Sequence, residues 1–394
     1  MKIVMLCDFY NEKLEYQENL LAKYYTKHGH DVVIITSTYY SVFDYYSDKY
    51  DKNIPSSEAN INGVKVIRLR YSFNILNRLR KYTGIFEILV KEAPSLIFVH
   101  DIMLNIFEVV KYKKKNPKCS VIMDYHADYS NSAKNWISLK ILHGIIRKYY
   151  LDRSKKYIDK IFPVVPAGFV FLNEVYNIPY DDMELLPLGA DTDLGKNTRL
   201  NNEGINIRKK YGINSNDFVI FSGGKLDPRK KLELLIEAFI KIDNPNCYLF
   251  IIGDSSNIDL DYKEKLIRKS QENPNIFFTG WLLNTEVYKY LNASDLAVFP
   301  ASQSILWQQA ISMHLPLIVG NIGHQDISYL NKYGNIIIMD KKSITAENIK
   351  NNILKLKNNK QLYMDMKSGA EKITEESLSW DVLIKKTLYF TEDT

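Results

Sequence analysis

Three stretches of the 394-residue chain combine residue types whose spacing could do chemistry. The first, Gly223-Gly224-Lys225-Leu226-Asp227-Pro228-Arg229-Lys230-Lys231, follows an apolar run at 218–221 and leads into a helical pattern at 232–242. Glycines let a backbone approach a ligand closely, and Lys225 and Lys230 put flexible ammonium groups where they can converge on phosphate oxygens. The same residues also describe a turn before a solvated basic helix start. The second stretch, 295–310, runs strand, polar turn, helix. Free N–H groups near Ser304, Ile305 and Leu306 would bind phosphate without side-chain charge, although a serine there equally reads as a cap. The third, 121–132, is a strand ending in a polar, aromatic loop. Its His126 and Asp128 are the catalytic candidates, the carboxylate placed to orient a substrate hydroxyl or take its proton, and Asn131 is a candidate to contact that substrate. His100-Asp101, after the preceding strand, is a competing pair ranked below them.

These groups need elements to hold them. β-Branched runs at 2–6, 31–36, 64–69, 96–99, 120–123 and 161–165 alternate with amphipathic helical patterns such as 16–28. A second series follows at 218–221, 248–252, 275–279, 296–299, 317–319 and 336–339. Repeated βαβ units imply mainly parallel sheets with ligands at the carboxyl ends of the strands. The length exceeds what one core usually organises. The expected fold class is therefore α/β, with two Rossmann-like doubly wound domains facing across a cleft. The strand and helix patterns lapse near Pro187-Leu188-Gly189-Ala190-Asp191 and over 197–206. The expected domains are 1–195 and 196–376, with a C-terminal helix at 377–394 completing the first.

Composition narrows the class. Apolar residues make up 46% and charged residues 25%, which excludes long disorder. Cys7, Cys119 and Cys247 are scattered in or beside apolar runs, so reduced thiols and a cytoplasmic location are expected rather than a disulfide or zinc framework. No run approaches the roughly 18 apolar residues of a membrane span. Net charge is +6, and the surplus is N-terminal: residues 1–190 carry 26 Lys/Arg against 21 Asp/Glu. Interspersed acids argue against nucleic acid, whereas the basic and apolar sides of 136–157 suit peripheral contact with an anionic membrane or packing on a sheet. No Gly-x-Gly-x-x-Gly follows either first strand, which disfavours a dehydrogenase.

Taken in order, the Gly223–Lys230 segment with Leu234-Leu235-Ile236-Glu237-Ala238-Phe239, then Phe250-Ile251-Ile252-Gly253-Asp254, Phe278-Thr279-Gly280-Trp281 and Gln309-Ala310-Ile311-Ser312-Met313-His314-Leu315-Pro316 resemble the donor half of family-4 glycosyltransferases of the GT-B fold. Tyr16 to Ala22 and Lys27-His28-Gly29-His30-Asp31-Val32 resemble that family's first helix and second strand, so the likeness covers nearly the whole chain. It implies retaining transfer from a nucleotide diphosphate sugar to a glycan or lipid-linked acceptor in polysaccharide or cell-envelope synthesis, with no metal or other cofactor. By this resemblance Gly224, Lys225, Lys230, Gly253, Trp281, Ser304, Ile305, Leu306 and Gln309 bind the donor, and His126 lies beside the transferred sugar. Two departures stand out. The family's paired glutamates are missing, Gln309 taking the position of the ribose-binding one, and the first loop lacks the usual glycines, leaving Tyr16 or Gln17 to substitute. A nucleotide-sugar 2-epimerase and a catalytically weakened nucleotide-sugar binding protein are the competing readings.

Overall fold

The computed structural model describes residues 1–46, 54–75, 77–133, 135–323 and 326–391. The chain divides into two compact units, Met1–Pro187 with Leu383–Thr394, and Leu188–Val382. The junction lies before the expected residue 195 because the helix Thr192–Leu200 belongs to the second unit. Asp191 caps that helix by accepting from the Leu194 N–H at 3.1 Å, and Arg199 donates to the Ser312 carbonyl at 2.7 Å. The tail changes units at Leu383 rather than 377. Leu383 and Ile384 are fully buried, Lys386 donates to the Leu185 carbonyl, and Ser120 donates to the Phe390 carbonyl.

In the first unit the strands are β1 (Lys2–Leu6), β2 (Asp31–Ser37), β3 (Ser57–Ile61), β4 (Val64–Leu69), a separate hairpin of β5 (Tyr71–Ile75) and β6 (Leu79–Tyr82), then β7 (Leu96–His100), β8 (Ser120–Tyr125) and β9 (Lys160–Pro163). The sheet order is β3-β4-β2-β1-β7-β8-β9, and all pairs but β3·β4 are parallel. Neighbouring residues such as Ile3 and Val4 or Ile97 and Phe98 are all fully buried, as both-face coverage of a parallel sheet requires. Each such side chain contributes roughly 1.5–3 kcal/mol relative to exposure.

The second unit repeats the plan with β10 (Phe218–Gly223), β11 (Cys247–Ile252), β12 (Ile276–Gly280), β13 (Leu296–Phe299), β14 (Leu317–Gly320) and β15 (Ile336–Met339). They form an all-parallel sheet in the order β12-β11-β10-β13-β14-β15. In each sheet the chain builds outward on one side of the first strand and then restarts on the other. The crevices at the carboxyl ends of these switch points, β1/β7 and β10/β13, are where such sheets receive ligands. All three candidate stretches emerge at or beside them.

Candidate functional site

The second unit's cradle begins with glycine. A Cβ on Gly223 would stand 2.2 Å from the Ile252 carbonyl oxygen, and one on Gly253 would stand 2.0 Å from that of Gly224, so only glycines let the ends of β10 and β11 touch. Gly224 has φ +114°, and a Cβ there would point at Ser304 Oγ (3.4 Å) and Lys230 Nζ (3.7 Å). The main chain of one loop, an ammonium and a hydroxyl thus meet around one small space.

The Asp-Pro-Arg-Lys sequence explains how Lys230 gets there. Asp227 is buried and caps the short 3-10 turn Pro228–Lys230 by accepting from the Arg229 N–H at 2.9 Å, while its two oxygens hold the Arg229 guanidinium at 3.0 Å each. With Arg229 retained, Lys230 turns inward, 8% exposed, and donates to the carbonyls of Gln303 (3.1 Å) and Ser302 (3.4 Å). Burial lowers its ammonium to about 8, outweighing the opposing pull of Asp227. The structure does not bring Lys225 to the same point. Its ammonium is half exposed and pairs with Asp259 at 3.3 Å.

The turn after β13 departs from expectation in one respect. The helix Leu306–Ser312 has only seven residues, and Ser304 Oγ accepts from the Leu306 N–H at 3.4 Å, so part of the expected amide array is a serine cap. Its dipole is correspondingly a minor source of positive potential. Gln309 is buried, donates from Nε2 to Asn284 Oδ1 at 2.5 Å, and leaves its Oε1 buried without a partner. An orphan acceptor costs on the order of 1–3 kcal/mol unless something donates to it, and Oε1 has its acceptor capacity unused. Trp281 follows β12 and is 68% exposed, leaving its ring accessible.

In the first unit, parallel register sets His100 of β7 opposite Asp124 of β8. Asp124 is fully buried, and its Oδ2 lies 3.0 Å from His100 Nδ1 and 3.1 Å from His126 Nε2. Burial alone would raise this carboxyl, but the two imidazoles outweigh it and hold it well below the usual carboxylate range. Burial also works against a charged His100, yet the adjacent Asp124 carries it up to about 10. Glu18, buried in the first helix Gln17–Lys27, feels both histidines; burial keeps its carboxyl above the ordinary value. Beside it Gln17 is buried with neither side-chain atom partnered, whereas Tyr16 is the half-exposed residue preceding the helix.

Asp128 and Asn131 are bonded within their own loop. Asp128 Oδ1 accepts from the Ser130 N–H and hydroxyl, both at 2.6 Å, and from the Asn131 N–H at 3.1 Å. Asn131 in turn accepts from the Asp128 N–H and donates to the His126 carbonyl at 2.9 Å. The Oδ1 oxygen, committed to three donors, clasps the loop. His100, ranked low from sequence, and Asp124, never singled out, lie at the centre instead. The signal that could have found Asp124 is a carboxylate inside an apolar strand two residues before a histidine.

His100, Asp124 and His126 offer ligating atoms within 4.8 Å of one another and are the one such group among the described residues. Two Asp-x-Asp sequences also occur, but Asp191 caps a helix and Asp259 pairs with Lys225.

Comparison with known proteins gives this geometry its context. The family model described as Glycosyltransferase Family 4 matches residues 19–194, and that described as Glycosyl transferases group 1 matches residues 204–373. An uncharacterized glycosyltransferase of Methanocaldococcus jannaschii is 22% identical over 390 residues, covering 93% of this chain and 91% of that protein. A UDP-Gal:alpha-D-GlcNAc-diphosphoundecaprenol alpha-1,3-galactosyltransferase of Escherichia coli is 22% identical over 284 residues, 68% of each chain. Among solved structures, a glycosyltransferase from Rickettsia africae superposes with a TM-score of 0.69 at 17% identity, covering 100% of this chain and 98% of its own. The Anabaena protein HepE in complex with UDP gives 0.68 at 15% identity, with both chains fully covered. One glycosyltransferase family model on each parallel-sheet unit, together with this fold, makes the chain a glycosyltransferase of the GT-B fold and the family-4 kind.

Proposed function

We propose that the chain transfers a hexosyl group from a nucleoside diphosphate sugar to a lipid-linked or polysaccharide acceptor in cell-envelope glycan assembly, with retention and without a metal ion, on the cytoplasmic side of a membrane. The observation that carries the donor assignment is the convergence of Gly224, Lys230 and Ser304 at the β10/β13 switch point. As the bond from the anomeric carbon to the diphosphate oxygen breaks, negative charge grows on the leaving group. A fixed buried ammonium stabilises that charge more than the bound ground state, supplying the neutralisation that a divalent ion supplies elsewhere. Gln309 Oε1 receives a donor hydroxyl, Trp281 offers a flat face, and Lys225 joins when the diphosphate competes with Asp259. On the acceptor side His126 addresses the reacting sugars.

Support for a lipid-linked acceptor comes from the 138–157 region. His143 is fully buried, bonded to Tyr176 OH at 2.6 Å and Ser132 Oγ at 2.9 Å, and burial lowers it to about 4, so it is neutral. Anchored by that histidine, the π-helical segment Ser138–Arg147 turns Ile141 and Ile145 outward, 40% and 64% exposed, and Trp136 and Ile137 just before it are 68% and 65% exposed. The stretch 138–157 carries six Lys/Arg against one acid. Ile137, Ile141, Leu142, Arg78 and Arg147 line a groove of about 430 Å³ between this segment and the β5–β6 hairpin. Exposed apolar residues bordered by cations fit an anionic bilayer better than water. The Escherichia coli relative's name specifies a diphosphoundecaprenol acceptor; the reading takes from it the acceptor class and not the sugar. Incubation with UDP-, GDP- and dTDP-sugars, with and without a cell-envelope lipid extract, tests the whole: nucleoside diphosphate release that requires the extract supports it, and sugar epimerisation or binding without release refutes it.

A further inference from the structure

His126 is held at three points. Its backbone N–H donates to Asp101 Oδ1 at 3.3 Å, its carbonyl accepts from Asn131 Nδ2 at 2.9 Å, and its Nε2 faces Asp124 Oδ2 at 3.1 Å. Asp124 also sets one of the other holders. The Asp101 N–H reaches Asp124 Oδ1 at 3.2 Å and the Asp124 carbonyl at 3.2 Å, fixing Asp101 in a left-handed conformation with φ +62° that a non-glycine residue adopts at some cost. One buried carboxylate therefore organises both neighbours of β8's end.

The chemistry of that carboxylate dictates where protons sit. An ionised carboxylate only accepts hydrogen bonds, so each ring nitrogen facing Asp124 Oδ2 carries its hydrogen. In a neutral His126 ring this leaves Nδ1 as the nitrogen with a lone pair. We propose that Asp124 and His100 are positioning residues that hold His126 as its Nε2–H tautomer, so that Nδ1 accepts a hydrogen bond from a hydroxyl of the bound sugar. The proposal rests on the glycosyl-transfer reading above. His100 gives the shared oxygen a second donor and supplies positive charge that offsets the carboxylate; its ring lies 4.5 Å from that of His126, centroid to centroid. His126 is thereby oriented by a carboxylate without facing that charge alone.

The test uses the full chain labelled with ¹⁵N-histidine. Long-range proton–nitrogen NMR at pH 7.5 is expected to give the Nε2–H pattern for His126, assigned by its loss in His126→Gln. Asp124→Asn, which presents a donor as well as an acceptor, should mix the tautomers. It should also lower kcat by about 10²-fold or more with donor KM within about threefold, the loss expected when a hydrogen bond made mainly in the transition state loses its orientation. His100→Asn keeps an N–H near the Nδ1 position and should retain most activity, whereas His100→Phe should behave like Asp124→Asn. An Nδ1–H pattern, an Asp124→Asn enzyme with unchanged kcat and a folded dichroism spectrum, or stoichiometric zinc or manganese uptake abolished by His126→Gln would each overturn the proposal. A wild-type protein without turnover refutes the glycosyl-transfer reading alone, because the NMR pattern is read without substrate.

Discussion

Replacing Lys230 by glutamine should separate binding from stability in opposite directions. The wild-type ammonium is buried with Nζ 3.1 Å from the Gln303 carbonyl, and burial lowers it to about 8. At pH 7 it is about nine-tenths charged, and at pH 9 about one-tenth. A charge-assisted bond to a phosphate oxygen contributes roughly 1.5–3 kcal/mol, so Lys230→Gln should weaken nucleoside diphosphate binding about 10- to 150-fold at pH 7. Wild-type Kd should itself rise about tenfold between pH 7 and 9 if only the charged form binds, while the variant stays flat; phosphate, with its second pKa near 6, changes little over that range. The stability effect has the other sign. An unfolded lysine stays protonated to about 10.5, so between about 8 and 10.5 the unfolded chain binds the extra proton and the native state gains stability as pH rises. At pH 7 the buried charge costs on the order of 3 kcal/mol, which glutamine relieves apart from the lost carbonyl bonds. The variant should therefore melt no lower than wild type while binding more weakly. Titration calorimetry at fixed ionic strength, paired with thermal melts, checks both. A variant Kd within threefold of wild type, or a wild-type Kd unchanged from pH 7 to 9, would refute the reasoning.

Other outcomes follow from the same geometry. Gly224→Ala puts a methyl 3.4 Å from Ser304 Oγ at φ +114°; strain of about 1–3 kcal/mol and a filled cradle should reduce diphosphate affinity at least tenfold, and unchanged calorimetric affinity would count against the cradle. Asp128→Ala removes a loop clasp, so kcat should fall less than about tenfold with a lowered melting temperature, whereas a loss of about 10²-fold or more at full stability would mark it as a base. Wild-type protein should float with phosphatidylglycerol-containing vesicles at low salt, less so as salt rises, and Ile137→Ser/Ile141→Ser/Ile145→Ser should stay at the bottom. Absence of flotation by the wild type would remove the lipid-facing surface.

Much of this was legible in the residues. The strand series, its restart and the glycine–cation turn are local patterns, and local patterns survive without knowledge of tertiary contacts. What escaped depended on register or on a remote partner. Asp124 reads as the end of an apolar strand; only pairing with β7 brings His100 to it. Lys225 and Lys230 look alike in sequence, and nothing local says that Asp259 takes one while Asp227, by holding Arg229, turns the other inward. The isoleucines after Trp136 read equally as core or surface. The buried bonds of His143 to Tyr176 and Ser132 decide the helix's rotation, and neither partner is on that helix. The strand Ser57–Ile61 is largely exposed and carries no apolar period to betray it.

The most direct test of the central claim is simultaneous measurement of nucleoside diphosphate release and sugar incorporation for the wild-type chain and Lys230→Gln, using a nucleotide-sugar panel and a lipid-linked acceptor extract. The account predicts equimolar diphosphate and glycosylated acceptor from the wild type and a severe loss in the variant. Free diphosphate with no glycosylated product, an epimerised sugar, or full transfer by the variant would contradict it.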